Sequence, residues 1–200
     1  MMPLCTALTV LSRIRPEGYA WLVEPRRSIP STERLIRRYL GQSERAALDK
    51  VALRDRHAFL LGRVALKDAV RTALWKRGEG PLFPIEVTLE DDSQGRPRLR
   101  GRFEGALHLA VASRGDTAVA VASSEPTAVA LTEGEDEASA RERAAIEAYA
   151  SLRNTSPESL RVTDREGEKL AVEGFWMETR SEPPKAIAWP SAASPAPSRD

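Results

Sequence analysis

The chain has 200 residues, of which 42% are hydrophobic and 30% are charged, a composition typical of a globular protein rather than a disordered one. No uninterrupted apolar run approaches the ~20 residues that cross a bilayer, so the sequence predicts no membrane span. The net charge of +1 argues against a general nucleic-acid-binding protein, which normally carries a large excess of basic side chains.

The basic and acidic side chains are unevenly distributed along the chain. Residues 1–103 contain 20 Lys and Arg against 12 Asp and Glu, whereas residues 104–200 contain 10 against 17. This asymmetry indicates either two faces with different electrostatic tasks or two lobes that attract each other.

The N-terminal segment favours a cytoplasmic protein. Met1–Leu11 lacks the basic start and the clear cleavage site of a signal peptide. The single cysteine, Cys5, cannot form an internal disulfide, which is typical of a reducing compartment.

The first part of the chain alternates strand and helix signals. The clearest is a long helix at 54–77, which has apolar residues at helical spacing. The predicted elements, in chain order, are a strand at 6–11, its partner at 20–23, helices at 31–40, from 43 and at 54–77, a strand at 85–89 and a turn at 91–97.

One side of the long helix carries a basic row of four residues, namely Arg56, Arg63, Lys67 and Arg71. A solvent-facing helix tolerates such a row, because like charges four residues apart cost only a few tenths of a kcal/mol per pair. The alternative interpretation is that the row binds an anion such as a phosphate.

The second part of the chain has mainly strand patterns. An Ala- and Arg-rich helix ending near Leu152 follows an acidic stretch at 133–137. Strands are predicted at 107–112, 117–122, 127–132, 160–163, 169–172, 175–179 and 186–189, with a hairpin turn at 114–116 and a disordered tail at 190–200.

Several of these segments, in their order along the chain, resemble one family. They are the helix Arg56–Arg71, the segment Phe83–Val87 with the turn Gly95-Arg96-Pro97, the strand pair Leu107–Val121, and the closing segments Val162–Leu170 and Phe175–Thr179. Together they are similar to the 4′-phosphopantetheinyl transferases, most closely the type that accompanies polyketide synthases.

The resemblance implies an α+β fold of two similar, pseudo-symmetric lobes, here at 1–103 and 104–189, with the second lobe shortened. Members of the family bind coenzyme A between the lobes and transfer its phosphopantetheine arm to a serine of an acyl carrier protein. The reaction is a magnesium-assisted phosphoryl transfer, which needs acidic ligands for the metal and donors for the phosphates.

The family's catalytic motifs are largely substituted in this chain. Its Ser-His pair falls on Ala112 and Ser113, so the imidazole is absent, and the two acids of its metal motif fall on Ala130 and Thr132. Of the motif that supplies a glutamate and two lysines, only Glu147 is retained, because Ile146 and Ser151 replace the lysines.

Some positions are still suited to anion binding. The resemblance implies Glu147 as a vestigial catalytic residue and predicts no metal ligand; its candidate coenzyme A contacts are Arg63, Lys67, Arg71, Arg96 and Ser113. A replacement magnesium site could instead use the acidic stretch of Glu133, Glu135, Asp136 and Glu137, although acids at a helix start commonly complement the helix dipole.

Three functional hypotheses remain. The first is a catalytically impaired or inactive relative of the transferases, serving as an interaction or structural module beside a polyketide synthase, with a carrier protein or the synthase as partner. The second is an active, divergent transferase that uses Glu147 and the acidic stretch around magnesium. The third is a coenzyme A sensor without chemistry.

Overall fold

The computed structural model describes residues 7–11, 32–115, 117–134, 136–182 and 185–191. The protein is an α+β protein with several antiparallel sheets, as predicted. Within the described part, no helix has both the length and the apolar character needed to cross a membrane. The chain divides into two compact units, Met1–Glu125 and Pro126–Asp200.

In its described residues, the first unit contains three helices, a sheet of three strands and a separate hairpin. The helices are α1 (Thr32–Tyr39), α2 (Gln42–Lys50) and α3 (Arg56–Lys76), and the strands are β1 (Ala7–Leu11), β2 (Thr88–Asp91), β3 (Pro97–Arg100), β4 (His108–Arg114) and β5 (Thr117–Ser123).

The core of the first unit lies between α3 and the sheet β1-β5-β4. All three strands are antiparallel, and β5 lies in the centre with every residue buried. Gly62 permits close packing, since a Cβ at this position would lie 3.4 Å from a methyl group of Val111 in β4. The predicted partner of β1 at 20–23 lies outside the described residues, and β1 pairs with β5 instead.

The strand predicted at 85–89 is partly wrong. A 3-10 turn occupies Pro84–Glu86, and β2 begins only at Thr88. Pro84 presets the backbone angle for a turn, and the Glu86 carboxylate accepts the Phe83 N–H at 2.5 Å. The predicted turn at 91–97 is confirmed, because the Asp92 carboxylate accepts backbone N–H groups within it.

The boundary between the units lies later than the predicted division after residue 103. The strands β4 and β5 belong to the first unit because β5 pairs with β1 and both strands pack on α3. A boundary at residue 103 would separate these strands from the helix that covers them.

Where the structure describes it, the second unit is a five-stranded antiparallel sheet packed on one helix. Its elements are β6 (Ala130–Glu133), α4 (Glu137–Arg153), β7 (Val162–Glu166), β8 (Lys169–Val172), β9 (Phe175–Glu182) and β10 (Lys185–Pro190), in the sheet order β6-β10-β9-β8-β7. The helix packs through small side chains, with Ala140, Ala144 and Ala148 buried in the core.

In each unit, the first described strand pairs antiparallel with the last: β1 with β5, and β6 with β10. The described elements between these strands differ, because the first unit has α1 to α3, the separate β2–β3 hairpin and β4, whereas the second has α4 and the strands β7 to β9.

The disordered tail was predicted to begin at residue 190, which is too early. Pro190 is the last residue of β10, and Ser191 is buried and donates its backbone N–H to the Trp176 carbonyl. Residues 192–200, the rest of the predicted tail, lie outside the described part.

Candidate functional site

Lys67 of the basic row is fully buried and makes two short contacts. Its Nζ donates at 2.5 Å to Glu44 Oε2 and at 2.5 Å to the Tyr39 carbonyl. Glu44 lies in the first turn of α2 and also accepts the Gly41 N–H at 3.0 Å. Burial lowers the pKa of Lys67, and the hydrogen bond to Glu44 opposes this shift. The ion pair therefore joins α2, the end of α1 and α3 inside the first unit.

Arg63 lies one turn before Lys67 on α3 and is also buried. Its Nη2 donates to Asp91 Oδ2 of β2 at 2.5 Å, and its guanidinium carbon lies 4.8 Å from the centre of the Phe59 ring. Its Nη1 is buried and has no hydrogen-bond partner among the described residues, and the same is true of Glu44 Oε1.

Arg71 belongs to a second polar cluster, with Tyr39 and Asp68. The Tyr39 hydroxyl donates to Asp68 Oδ2 at 3.1 Å, and Arg71 Nη1 lies 2.9 Å from Asp68 Oδ1. Arg71 Nε donates to the Leu82 carbonyl at 2.6 Å. Burial, helped by the Asp68 charge, raises the pKa of Tyr39 to about 12. Burial also raises the pKa of Asp68, whereas the positive charge of Arg71 lowers it.

Of the two interpretations of the basic row, the solvent-facing one is wrong for Arg63 and Lys67, which are buried. Each of the four side chains donates to protein acceptors, including Arg56, whose guanidinium contacts the Val51 and Asp49 carbonyls. One sequence signal favoured burial: the segment 59–70 is apolar around most of the helix circumference, which is typical of a helix enclosed on several sides.

Two other candidate phosphate contacts lie in hairpins of the first unit. Arg96 is exposed in the β2–β3 turn, where its backbone N–H donates to Asp92. Ser113 is exposed near the end of β4, opposite Ala118 of β5. Thus α3 brings together the candidates Arg63, Lys67 and Arg71, whereas Arg96 and Ser113 lie on separate hairpins.

The two positions matched to the family's metal-binding acids are buried in the second unit. Ala130 is part of the core beneath α4, and it lies opposite the buried Ala188 of β10. The Thr132 hydroxyl donates at 2.7 Å to the Ala140 carbonyl of α4. These side chains therefore connect β6 to the helix.

Glu147 and the acidic stretch lie on the surface of the second unit. Glu147 is exposed on α4. Asp136 caps α4 by accepting the Ala138 and Ser139 N–H groups, and hydrogen bonds from the Ser139 side chain and backbone lower the pKa of Asp136. Glu137 accepts the Ser181 hydroxyl. Glu133 Oε1 lies 3.9 Å from Lys185 Nζ, and Glu135 lies outside the described residues.

The described residues contain no cluster of side chains that could form a metal site. Within the described ranges, no group of three or more His, Cys, Asp or Glu side chains is placed to hold a metal ion. Asp136 and Glu137 instead act as helix cap and hydroxyl acceptor, the role that acids at a helix start commonly have.

A group of exposed apolar side chains in the first unit was not predicted from the sequence. Trp75, in the last turn of α3, is 69% exposed, and Phe83 and Ile85, in the segment after α3, are 71% and 47% exposed. The apolar face predicted for the long helix included Trp75, which is wrong, because the residues three and four positions before Trp75 are the polar Thr72 and Arg71.

The comparisons with known proteins give no family assignment. No protein-family model matches the chain, and no curated protein matches it. The α+β class is observed, and the relationship to the phosphopantetheinyl transferases stays a prediction.

Proposed function

We propose that the chain is a non-catalytic relative of the phosphopantetheinyl transferases that serves as an interaction module for an acyl carrier protein or a polyketide synthase. The proposal combines the resemblance in the sequence with the contacts of the substituted positions. The proposal has two parts. The scaffold part is that the chain keeps a fold of two related units, and the inactive part is that it has lost the transfer reaction.

One feature common to the two units supports the scaffold part of the proposal. The resemblance implies two similar lobes. In each unit a helix packs on an antiparallel sheet in which the first described strand pairs with the last, and two related lobes would share such a feature.

The buried positions in β6 carry the inactive part of the proposal. A magnesium-dependent transferase needs carboxylates that project toward a substrate. In this chain Ala130 packs in the core and the Thr132 hydroxyl is bonded to Ala140, so neither position offers a ligand. A single lost electrostatic group commonly costs about 2.7–4 kcal/mol of transition-state stabilisation, and several are substituted here.

The contacts of the basic row give further support. Family members use cations to bind coenzyme A phosphates, but Arg63 and Lys67 are buried and paired with Asp91 and Glu44. Releasing either cation to an external phosphate would leave a carboxylate without its partner, which is costly for the buried Glu44.

Transfer of a label from coenzyme A tests the inactive part. The protein is mixed with Mg²⁺, coenzyme A labelled in the phosphopantetheine arm and an apo acyl carrier protein, beside an active transferase as positive control. We expect no transfer above the rate without protein, together with measurable association of protein and carrier. Transfer at an ordinary enzymatic rate would establish the divergent transferase instead.

Calorimetry with coenzyme A tests the sensor alternative. We expect no binding heat at high micromolar coenzyme A, because the buried cations are already paired. Saturable binding without transfer would favour the sensor. If coenzyme A binds, calorimetry on two variants tests whether Arg96 contacts it. Arg96→Gln changes an exposed candidate contact and should weaken binding, whereas Arg98→Gln changes a neighbouring exposed arginine that was not a candidate and should not.

A further inference from the structure

Three of the exposed apolar side chains of the first unit, Trp75, Phe83 and Ile85, lie beside two arginines. We call the group formed by Arg38, Arg71, Trp75, Phe83 and Ile85 the aromatic surface. Trp75 follows Arg71 by four residues on α3, so the two side chains are neighbours on one helix face. Arg71 Nε donates to the Leu82 carbonyl, which places the backbone of Phe83 next to the same arginine.

The helix α1 completes this surface. The 3-10 turn that contains Ile85 contacts both α1 and α3. Arg38 is exposed on α1, and its charge acts on Asp68, which is ion-paired with Arg71. The apolar side chains therefore lie beside a basic helix.

The charge of the surroundings is predominantly positive. Exposed cations on the same two helices include Arg34 and Lys76. Three acids of these elements have partners within the unit: Asp68 binds Arg71 and Tyr39, the Glu86 carboxylate accepts the Phe83 N–H, and the exposed Glu33 of α1 is ion-paired with Arg37. Large exposed aromatic side chains next to arginine are also the residue types enriched at the centres of protein interfaces.

We propose that the aromatic surface is the docking site for an acidic face of the carrier protein, with the indole of Trp75 and the ring of Phe83 at its apolar centre. This inference rests on the proposed function, which supplies the partner. Charge complementarity selects the occupant: Arg38, Arg34 and Lys76 would attract carboxylates and repel a basic partner. Burying the two rings then supplies the apolar part of the binding free energy.

Binding of an apo acyl carrier protein of acidic sequence, measured by isothermal titration calorimetry, tests the inference. The first variant is Trp75→Ser combined with Phe83→Ser, and the second is Arg38→Glu. We expect the double variant to weaken binding at least tenfold. We expect Arg38→Glu to weaken it at least threefold at low salt, with a smaller effect in 0.5 M NaCl, because salt screens exposed charges.

The chain offers matched controls at the other end of α3. Leu53 is 82% exposed and precedes the helix, about 30 Å from Trp75 at 1.5 Å per residue, and Arg54 beside it is an exposed arginine. Leu53→Ser and Arg54→Glu are expected to change carrier binding by less than twofold. Circular dichroism melts confirm that all variants fold, since each change is at an exposed position.

The outcomes separate this inference from the proposed function. If every variant binds the carrier as the wild type does, the aromatic surface is not the docking site, although carrier recognition stands. If the wild type does not bind the carrier, both the partner and the surface are wrong. A wild-type dimer that dissociates in the Trp75→Ser, Phe83→Ser variant would assign the surface to self-association and overturn the inference.

Discussion

Lys67 Nζ and Glu44 Oε2 lie 2.5 Å apart in the interior of the first unit, and both side chains are almost fully excluded from solvent. The cost of removing two charges from water is offset by their attraction and by two backbone contacts, from the Gly41 N–H to Glu44 and from Lys67 to the Tyr39 carbonyl. The pair fixes the position of α2 on α3, and it does so with a residue that the family resemblance had assigned to coenzyme A.

Removing the lysine should strongly destabilise the protein. We expect Lys67→Met to lower the free energy of unfolding by about 3–5 kcal/mol, because Glu44 would remain buried without its cation. Urea denaturation at pH 7 measures the loss.

The double variant Lys67→Met, Glu44→Gln separates this explanation from simple loss of packing. The introduced glutamine would be neutral and would still accept the Gly41 N–H, so we expect the double variant to recover at least half of the loss. Additive losses from the two single changes would contradict a coupled pair.

Tyr39 should make stability depend on alkaline pH. Its folded-state pKa is about 12, against 10.0 for an unperturbed tyrosine, so the unfolded chain releases the phenolic proton first. The stabilisation is therefore fully present below pH 10 and is lost as pH rises from 10 to 12. The shift of two units corresponds to about 2–3 kcal/mol.

Comparison with Tyr39→Phe isolates this contribution. The variant loses the hydrogen bond to Asp68 and should be about 1 kcal/mol less stable at pH 7, but its stability should fall less between pH 10 and 12. Urea denaturation at pH 9, 10, 11 and 12 gives both curves. Parallel curves would show that Tyr39 titrates normally in the folded protein.

Local patterns were sufficient to predict most of the fold. The long helix α3 and the strands β4, β5 and β8 follow from periodicity and turn residues within a few positions of one another. The prediction of a strand at 85–89 was partly wrong although the residues alternate in polarity. Pro84 and the Glu86 carboxylate stabilise a 3-10 turn at the start of this segment.

Long-range contacts were the part that local patterns could not predict. Glu44 is 23 residues from Lys67 and Asp91 is 28 residues from Arg63, so only the folded arrangement of α2, α3 and β2 brings them together. The pairing of β1 with β5 is also a long-range contact. It places β4 and β5 in the first unit, so the boundary between the units follows Glu125 and not residue 103, where the charge balance changes. The four cations of the basic row all lie on α3, as their spacing predicted, but their partners could not be predicted.

Two arginines from the predicted coenzyme A contacts should respond differently to substitution. Arg63→Gln should lower the free energy of unfolding by about 2 kcal/mol, because it removes the ion pair with Asp91 and the contact with the Phe59 ring. Arg96→Gln should change it by less than about 0.5 kcal/mol, because that side chain is exposed in a turn. Thermal melts followed by circular dichroism measure both, and equal losses would contradict the assignment of Arg63 as a structural residue.

Restoring a carboxylate in β6 should cost stability without giving activity. Ala130→Asp would place a charge in the core of the second unit, opposite Ala188 and beneath α4, and we expect a loss of about 3 kcal/mol or more. The matched control is Ala138→Asp, which adds the same side chain at an exposed position in the first turn of α4, where the helix dipole favours an acid.

The control should remain within about 0.5 kcal/mol of the wild type, and neither variant should transfer phosphopantetheine. A stable Ala130→Asp protein would mean that this side chain can reach solvent. Appreciable label transfer by that variant would mean that the other substituted groups are not needed. Because Thr132 is bonded to Ala140 and Ala130 is buried in the core of the second unit, we expect the packing between β6 and α4 to oppose the return of a metal ligand here.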